Sequence, residues 1–123
     1  MGEVRDVEFD LPWPPSVNRY YRHVGPRVLI SREGRKYRRM VVSRLAGLFP
    51  KFAGKVLLAL DCYPPDRRRR DLDNLLKSLQ DALVNAGVLE DDSQIRRLGM
   101  EMQEPVEGGL VHVRLETIPG RRR

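Results

Sequence analysis

Val7, Phe9 and Leu11 alternate with charged residues, the period-two pattern of a half-buried strand, and Pro12-Trp13-Pro14-Pro15 stops it. The next segment, Ser16-Val17-Asn18-Arg19-Tyr20-Tyr21-Arg22-His23, mixes aromatic, amide and basic side chains, as loops facing nucleic acid often do. Gly25-Pro26 turns the chain into a short strand at Val28-Leu29-Ile30. Ser31 can then cap a basic helix through about Leu48, with Tyr37, Met40, Val41, Leu45 and Leu48 on its apolar side. Residues 55–63 are almost continuously hydrophobic, the mark of a central strand, and Pro64-Pro65 ends them.

The strongest helical pattern runs from Leu72 to Ala86. Leu72, Leu75, Leu76, Leu79, Ala82, Leu83 and Ala86 fall within an arc of about 120°. Asp71 stands where an N-cap belongs, and Gly87 where a left-handed residue ends a helix. Two strands follow, Ile95 to about Met102 and Leu110 to Thr117, with Gly108-Gly109 as the turn between them. The pattern predicts one compact α/β (α+β) domain over residues 1–123, a mixed sheet of about four to five strands packed by two main helices. Residues 118–123, ending in three arginines, are expected to form a mobile basic tail.

Composition sets the surroundings. Hydrophobic residues are 41% of the chain and charged residues 33%, enough for a core without covalent staples. No run approaches the roughly 20 apolar residues of a membrane span. The acidic, mixed N-terminus (Glu3, Arg5, Asp6, Glu8) lacks an apolar signal core. A cytoplasmic, nucleoid-associated protein with no membrane partner is expected. Cys62, the single cysteine, lies in an apolar run and reads as a buried thiol, while His23 and His112 are too isolated for a zinc site. Trp13 could stack a base or pack over a sheet edge, and the Tyr20-Tyr21 pair could stack bases or fill the core.

The net charge is +6, and of 23 basic residues only Lys36, Lys51, Lys55 and Lys77 are lysine. Guanidinium groups grip phosphate in a fork and stack on bases. A GC-rich genome would account for the arginine bias but not for its clustering. Arg67, Arg68, Arg69 and Arg70 run directly into Asp71-Leu72-Asp73-Asn74, and Glu90-Asp91-Asp92 follows one helix length later. Carboxylates amid the most positive stretch would repel a polyanion unless a divalent cation lay between them. Lys77 is one turn after Asp73 on the same face. If the strand after Asp92 returns beside residues 55–63, Asp92 is expected back at the helix N-terminus. Asp71, Asp73 and Asp92 would then be metal ligands, with Lys77 orienting water or stabilising the leaving oxygen. Taken singly, Asp71 is a helix cap, Asp73–Lys77 an exposed pair and Asp91-Asp92 a turn. On that rival reading the chain is a non-catalytic DNA- or RNA-binding module.

These residues resemble the RusA family of Holliday junction resolvases. Leu11-Pro12-Trp13-Pro14-Pro15-Ser16-Val17-Asn18-Arg19-Tyr20-Tyr21-Arg22-His23 looks like its N-terminal signature, and Pro65 through Leu75 like its central one. Asp81-Ala82-Leu83, Ala86-Gly87 and Asp91-Asp92-Ser93-Gln94 complete the likeness, which spans about residues 8–117. The resemblance implies a RusA-like homodimer that binds four-way DNA junctions and cuts them symmetrically with Mg²⁺, for which Mn²⁺ can substitute, and no small-molecule cofactor. It implies Asp71, Asp73 and Asp92 as catalytic carboxylates, Lys77 as the essential lysine, and Arg70 as a basic residue beside the site. Arg67, Arg68, Arg69 and Arg70, with Asn18, Arg19 and Arg22, are expected to contact DNA.

Overall fold

The computed structural model describes residues 5–120. In chain order the elements are β1 (Asp6–Pro12), α1 (Val17–Tyr20), β2 (Tyr21–Val24), β3 (Arg27–Ile30), α2 (Arg32–Leu45), β4 (Val56–Tyr63), α3 (Asp73–Asn85), a 3-10 turn (Asp92–Gln94), β5 (Ile95–Met102) and β6 (Leu110–Thr117). The expected α+β domain is present, with a mixed four-stranded sheet ordered β1-β6-β4-β5 and a separate β2–β3 sheet. Arg121, Arg122 and Arg123 of the expected tail lie outside the described residues.

The apolar run of residues 55–63 earns the centre of the sheet. β4 pairs antiparallel with β6 and parallel with β5. Val56, Leu58, Leu60 and Cys62 face the helices, level with Val111, Val113 and Leu115 of β6 and flanked by Leu11 of β1, all buried. Burial also pushes the Cys62 thiol up to about 11, so it stays protonated and inert. β5 and β6 are not neighbours, because β4 lies between them, so Gly108-Gly109 closes a crossover and not a hairpin. Both glycines have positive φ, 78° and 69°.

Helix α3 buries Leu75, Leu79, Ala82 and Leu83, the stripe its periodicity predicts. Gly87 (φ 79°) ends it, with the Gly87 and Val88 amides donating to the Val84 and Leu83 carbonyls at 3.0 Å each. Its start departs from expectation. Leu72 is the N-cap residue with helical angles, no side chain caps it, and Asp71 contributes only its carbonyl, accepting from the Asn74 amide at 3.2 Å. Helix α2 begins as expected: the Ser31 hydroxyl accepts from the Gly34 amide at 3.0 Å. It ends earlier, because Gly47 takes a positive φ (73°), so Leu48 leaves the helix and is exposed, as is Met40.

The segment read as a loop, residues 16–23, is α1 followed by β2. Tyr20 is fully buried and Tyr21 half-buried, so the pair splits between core and surface. Gly34 allows this packing: a Cβ there would lie 2.4 Å from the Tyr20 carbonyl oxygen. The opposite face of the sheet carries no helix. Asp6, Glu8, Asp10, Asp61, Glu101 and Glu116 share it with Arg97, Arg114 and His112 by strand alternation and register. No helix among the described residues is long and apolar enough to cross a membrane.

Candidate functional site

A groove of about 980 Å³ joins three stretches distant in sequence. Trp13, Pro14, Pro15 and Arg19 line one wall, Lys36 and Met40 of α2 another, and Arg68, Arg69, Arg70, Asp71 and Asn74 the third. Its wide opening and five cationic side chains suit an extended polyanion better than a small ligand. Gly109 helps assemble it, since a Cβ there would meet Pro65 Cδ at 3.0 Å and Trp13 Cβ at 3.1 Å. Neither Lys36 nor Met40 was expected at a site, and Met40 was placed on the apolar side of its helix. Their (i, i+4) spacing on a basic helix was the available signal.

The four arginines divide by task. Arg67, Arg68 and Arg69 are exposed. Arg67 meets Glu104 at 3.3 Å and Arg68 meets Asp66 at 3.4 Å, both with guanidinium groups in open solvent, contacts of negligible strength. Arg70 folds back. Its guanidinium lies 2.8 Å from the Asp66 carboxylate, donates to the carbonyls of Asp66 and Arg68 at 3.2 and 3.1 Å, and sits 5.7 Å from the centre of the Trp13 ring. The Arg70 hydrogen bond, with the Arg68 amide, holds the Asp66 carboxyl down to about 2. Arg70 therefore shapes the loop that presents its neighbours. Asn18 and Arg19 of α1 and Arg22 of β2 are exposed, with Arg19 alone of the three lining the groove.

Asp71, Asp73, Lys77 and Asp92 are all exposed, and every ion pair among the described residues falls elsewhere. Asp71 lines the groove, and Asp73 and Lys77 follow on α3 one turn apart. Lys77 Nζ stands 5.4 Å from the centre of the Tyr21 ring, a cation–π contact that holds the ammonium without using its donors. Burial raises the Tyr21 hydroxyl above its ordinary value, helped by the negative charges of Asp81 and Asp92. The sequence left Tyr21 undecided; the structure leaves it half-buried at the start of β2, next to fully buried Tyr20 at the end of α1.

The expected convergence of three carboxylates does not occur within the chain. β5 does lie beside β4, but in parallel, so Ile95 is level with Val56 at the beginning of β4. Asp92 therefore comes to the opposite end of that strand from the arginine loop. Among the described residues no group of three His, Cys, Asp or Glu is placed to hold a metal ion. The acidic pair 91–92 also divides: Asp91 accepts from the Ser93 amide and hydroxyl and shares a capping box with Gln94, while Asp92 makes no such bond. Mg²⁺ does not require a protein cage, since one or two carboxylates suffice when water and phosphate oxygens complete the octahedron. Asp71 and Asp73, exposed and without ion-pair partners among the described residues, fit that lesser demand.

A family model described as Endodeoxyribonuclease RusA matches residues 12–116. The crossover junction endodeoxyribonuclease of Enterobacteria phage 82 is 52% identical over 87 residues, covering 69% of this chain and 72% of that protein. The protein of the same description from Escherichia coli K12 is 51% identical over 87 residues, with the same coverage of 69% and 72%. That of Enterobacteria phage HK97 is 38% identical over 116 residues, 91% of this chain and 95% of its own.

Proposed function

Because this chain belongs to the RusA endodeoxyribonuclease family, we propose that it is a metal-dependent endodeoxyribonuclease that resolves four-way DNA junctions by paired cuts. The single observation that carries this reading is the placement of Asp71 and Asp73, without ion-pair partners among the described residues, between a cationic groove and Lys77. A carboxylate there lowers phosphate affinity, so a binding module would gain by losing it. A nuclease would not.

Asp71 and Asp73 would hold Mg²⁺, with water and phosphate oxygens completing its shell. When bound, that ion would lower the pKa of a coordinated water and offset charge developing on the phosphate. The remaining work belongs to the chain. Arg68 and Arg69, with Arg19 and Lys36, bind the DNA backbone along the groove, and Arg70 keeps their loop in place. The Lys77 ammonium, steadied over Tyr21, keeps its three donors for a phosphate or leaving oxygen. Two equivalent strands in a symmetric junction call for two equivalent sites, which a homodimer supplies.

The rival reading, a DNA- or RNA-binding module, draws on the absence of a three-carboxylate group among the described residues. It leaves Asp71 and Asp73 without the capping and ion-pair roles it requires. Incubating the protein with a synthetic mobile four-way junction and with linear duplex, with Mg²⁺ or EDTA, separates the two. Paired cutting of the junction in Mg²⁺ alone is expected. Binding that persists in EDTA with no cutting in Mg²⁺ or Mn²⁺ would overturn the enzyme reading. Sedimentation equilibrium at micromolar concentration should give a dimer, and a monomer both free and DNA-bound would overturn the paired-cut mechanism.

A further inference from the structure

Strands β2 and β3 form a sheet of their own, with Tyr21 level with Ile30 and Val24 level with Arg27. Every residue from 22 to 28 is exposed. Val24 keeps 42% and Val28 57% of its surface in solvent, so neither valine contributes to the core. A lone two-stranded hairpin is marginal in water, and this one is held at its root. There the Ser31 amide donates to the Tyr20 carbonyl at 2.9 Å, and Tyr21 packs beside Lys77 with 5.4 Å from ring centre to Nζ. The hairpin therefore starts at the candidate site and projects from it.

Its chemistry is one-sided. No acidic residue occurs from Tyr21 to Ile30, while Arg22, His23 and Arg27 do. By alternation Arg22, Val24 and Arg27 share one face and His23 and Val28 the other, so each face of the hairpin end carries an exposed valine beside basic side chains. A surface meant only for phosphate would have no use for exposed valines. Exposed valines beside cations fit an interrupted base stack, where phosphates flank bases already partly exposed. We infer that the β2–β3 hairpin is a wedge that enters branched DNA at the crossover, with Arg22 and Arg27 on flanking phosphates and Val24 and Val28 against unstacked bases. An intact duplex resists entry because its base pairs must first be unstacked, so the wedge selects branched over linear DNA. This inference rests on the DNA-cleaving reading and adds the source of its substrate choice.

The test places 2-aminopurine beside the crossover of a synthetic four-way junction and compares the wild type with a Val24→Gln/Val28→Gln variant. In EDTA, wild-type binding should brighten the fluorophore. The variant should bind within about twofold and with the same salt slope, since no phosphate contact is lost. It should fail to brighten the fluorophore, and in Mg²⁺ it should cut about tenfold more slowly, equivalent to one decade in rate. A junction with unpaired bases at the crossover should restore its rate. If circular dichroism shows the double variant unfolded, Val28→Gln at the more exposed position carries the same comparison. Brightening and cutting equal to the wild type would overturn the wedge. Cutting by the wild type without any brightening would overturn it too, with the nuclease reading intact. A wild type that neither binds nor cuts branched DNA would bring down both.

Discussion

Helix α3 carries two carboxylates about two turns apart on its polar side, Asp73 and Asp81, and the fold treats them oppositely. Asp81 accepts from Arg38 at 2.8 and 2.9 Å and from the Tyr20 hydroxyl, which ties α3 to α2 and α1. Burial and the Asp81 bond push the Tyr20 hydroxyl far above its ordinary value, and the same carboxylate raises the Arg38 guanidinium. No ion pair among the described residues reaches Asp73, which is exposed at the helix start. A carboxylate whose partners come from its own fold holds that fold together. One left at a favourable helix terminus beside a cationic groove is set for something that arrives later.

The comparison would break first at Asp73. Asp73→Asn should lower Mg²⁺-dependent junction cleavage at least about a hundredfold while thermal unfolding stays as it is and junction binding is intact or tighter. Substantial nicking by that variant would end its role as a ligand. Lys77→Ala should cost about thirtyfold in cleavage rate and much less in affinity, read from single-turnover rates against a binding titration. Parallel losses would make Lys77 a binding residue. Asp81→Ala should do the reverse of Asp73→Asn. It leaves Arg38 and Tyr20 unsatisfied at a cost of about 2 kcal/mol, lowering Tm by about 8 °C while cleavage at low temperature persists.

Two smaller effects sharpen the contrast. Arg68→Ala with Arg69→Ala should flatten the slope of log K against log salt by about 1.8, while stability stays unchanged. An unchanged slope would turn those arginines away from DNA. On the open sheet face, His112 is bonded first by Glu8 and then by Asp10, at 2.7 Å each, which raises its pKa above the ordinary 6.5. The folded state holds that proton more tightly, so the contribution is complete below the unfolded value and fades as pH rises through the folded one. Tm should fall modestly as pH rises from about 6.5. His112→Gln should remove that slope.

Much of the fold was legible because it rests on period. The α3 stripe, the Gly87 stop, the alternation of β1 and β6 and the apolar β4 each state their burial directly. The Gly25-Pro26 turn and the strand at 28–30 were legible, but residues 16–24 were not, because α1 and its junction with β2 depend on Ser31 and Gly34 meeting the Tyr20 backbone, contacts that leave no periodic trace. The site was legible as residue types beside an arginine run. Its geometry was read in part, since Asp73 and Lys77 do share a helix face while Asp92 does not return to its start. A strand that comes back in parallel begins where its partner begins, so the acidic residue ahead of β5 was bound to the other end of β4. Asp71 has a cap's position but not its bond, since its side chain accepts no amide at the helix start and only its carbonyl is used.

The sheet face without helices, where carboxylates outnumber guanidinium groups, bears on how the molecule first meets its target. With a net charge of +6 and six carboxylates on that face against two arginines and a histidine, the charge is unevenly spread, and the protein is an electric dipole as well as a cation. A polyanion's field exerts a torque on such a body before contact, turning the groove forward and the sheet behind. At low salt, steering of this kind raises association rates by about tenfold or more. The carboxylates of the open sheet face thus give the molecule a front and a back, and they spare it collisions made in the wrong orientation.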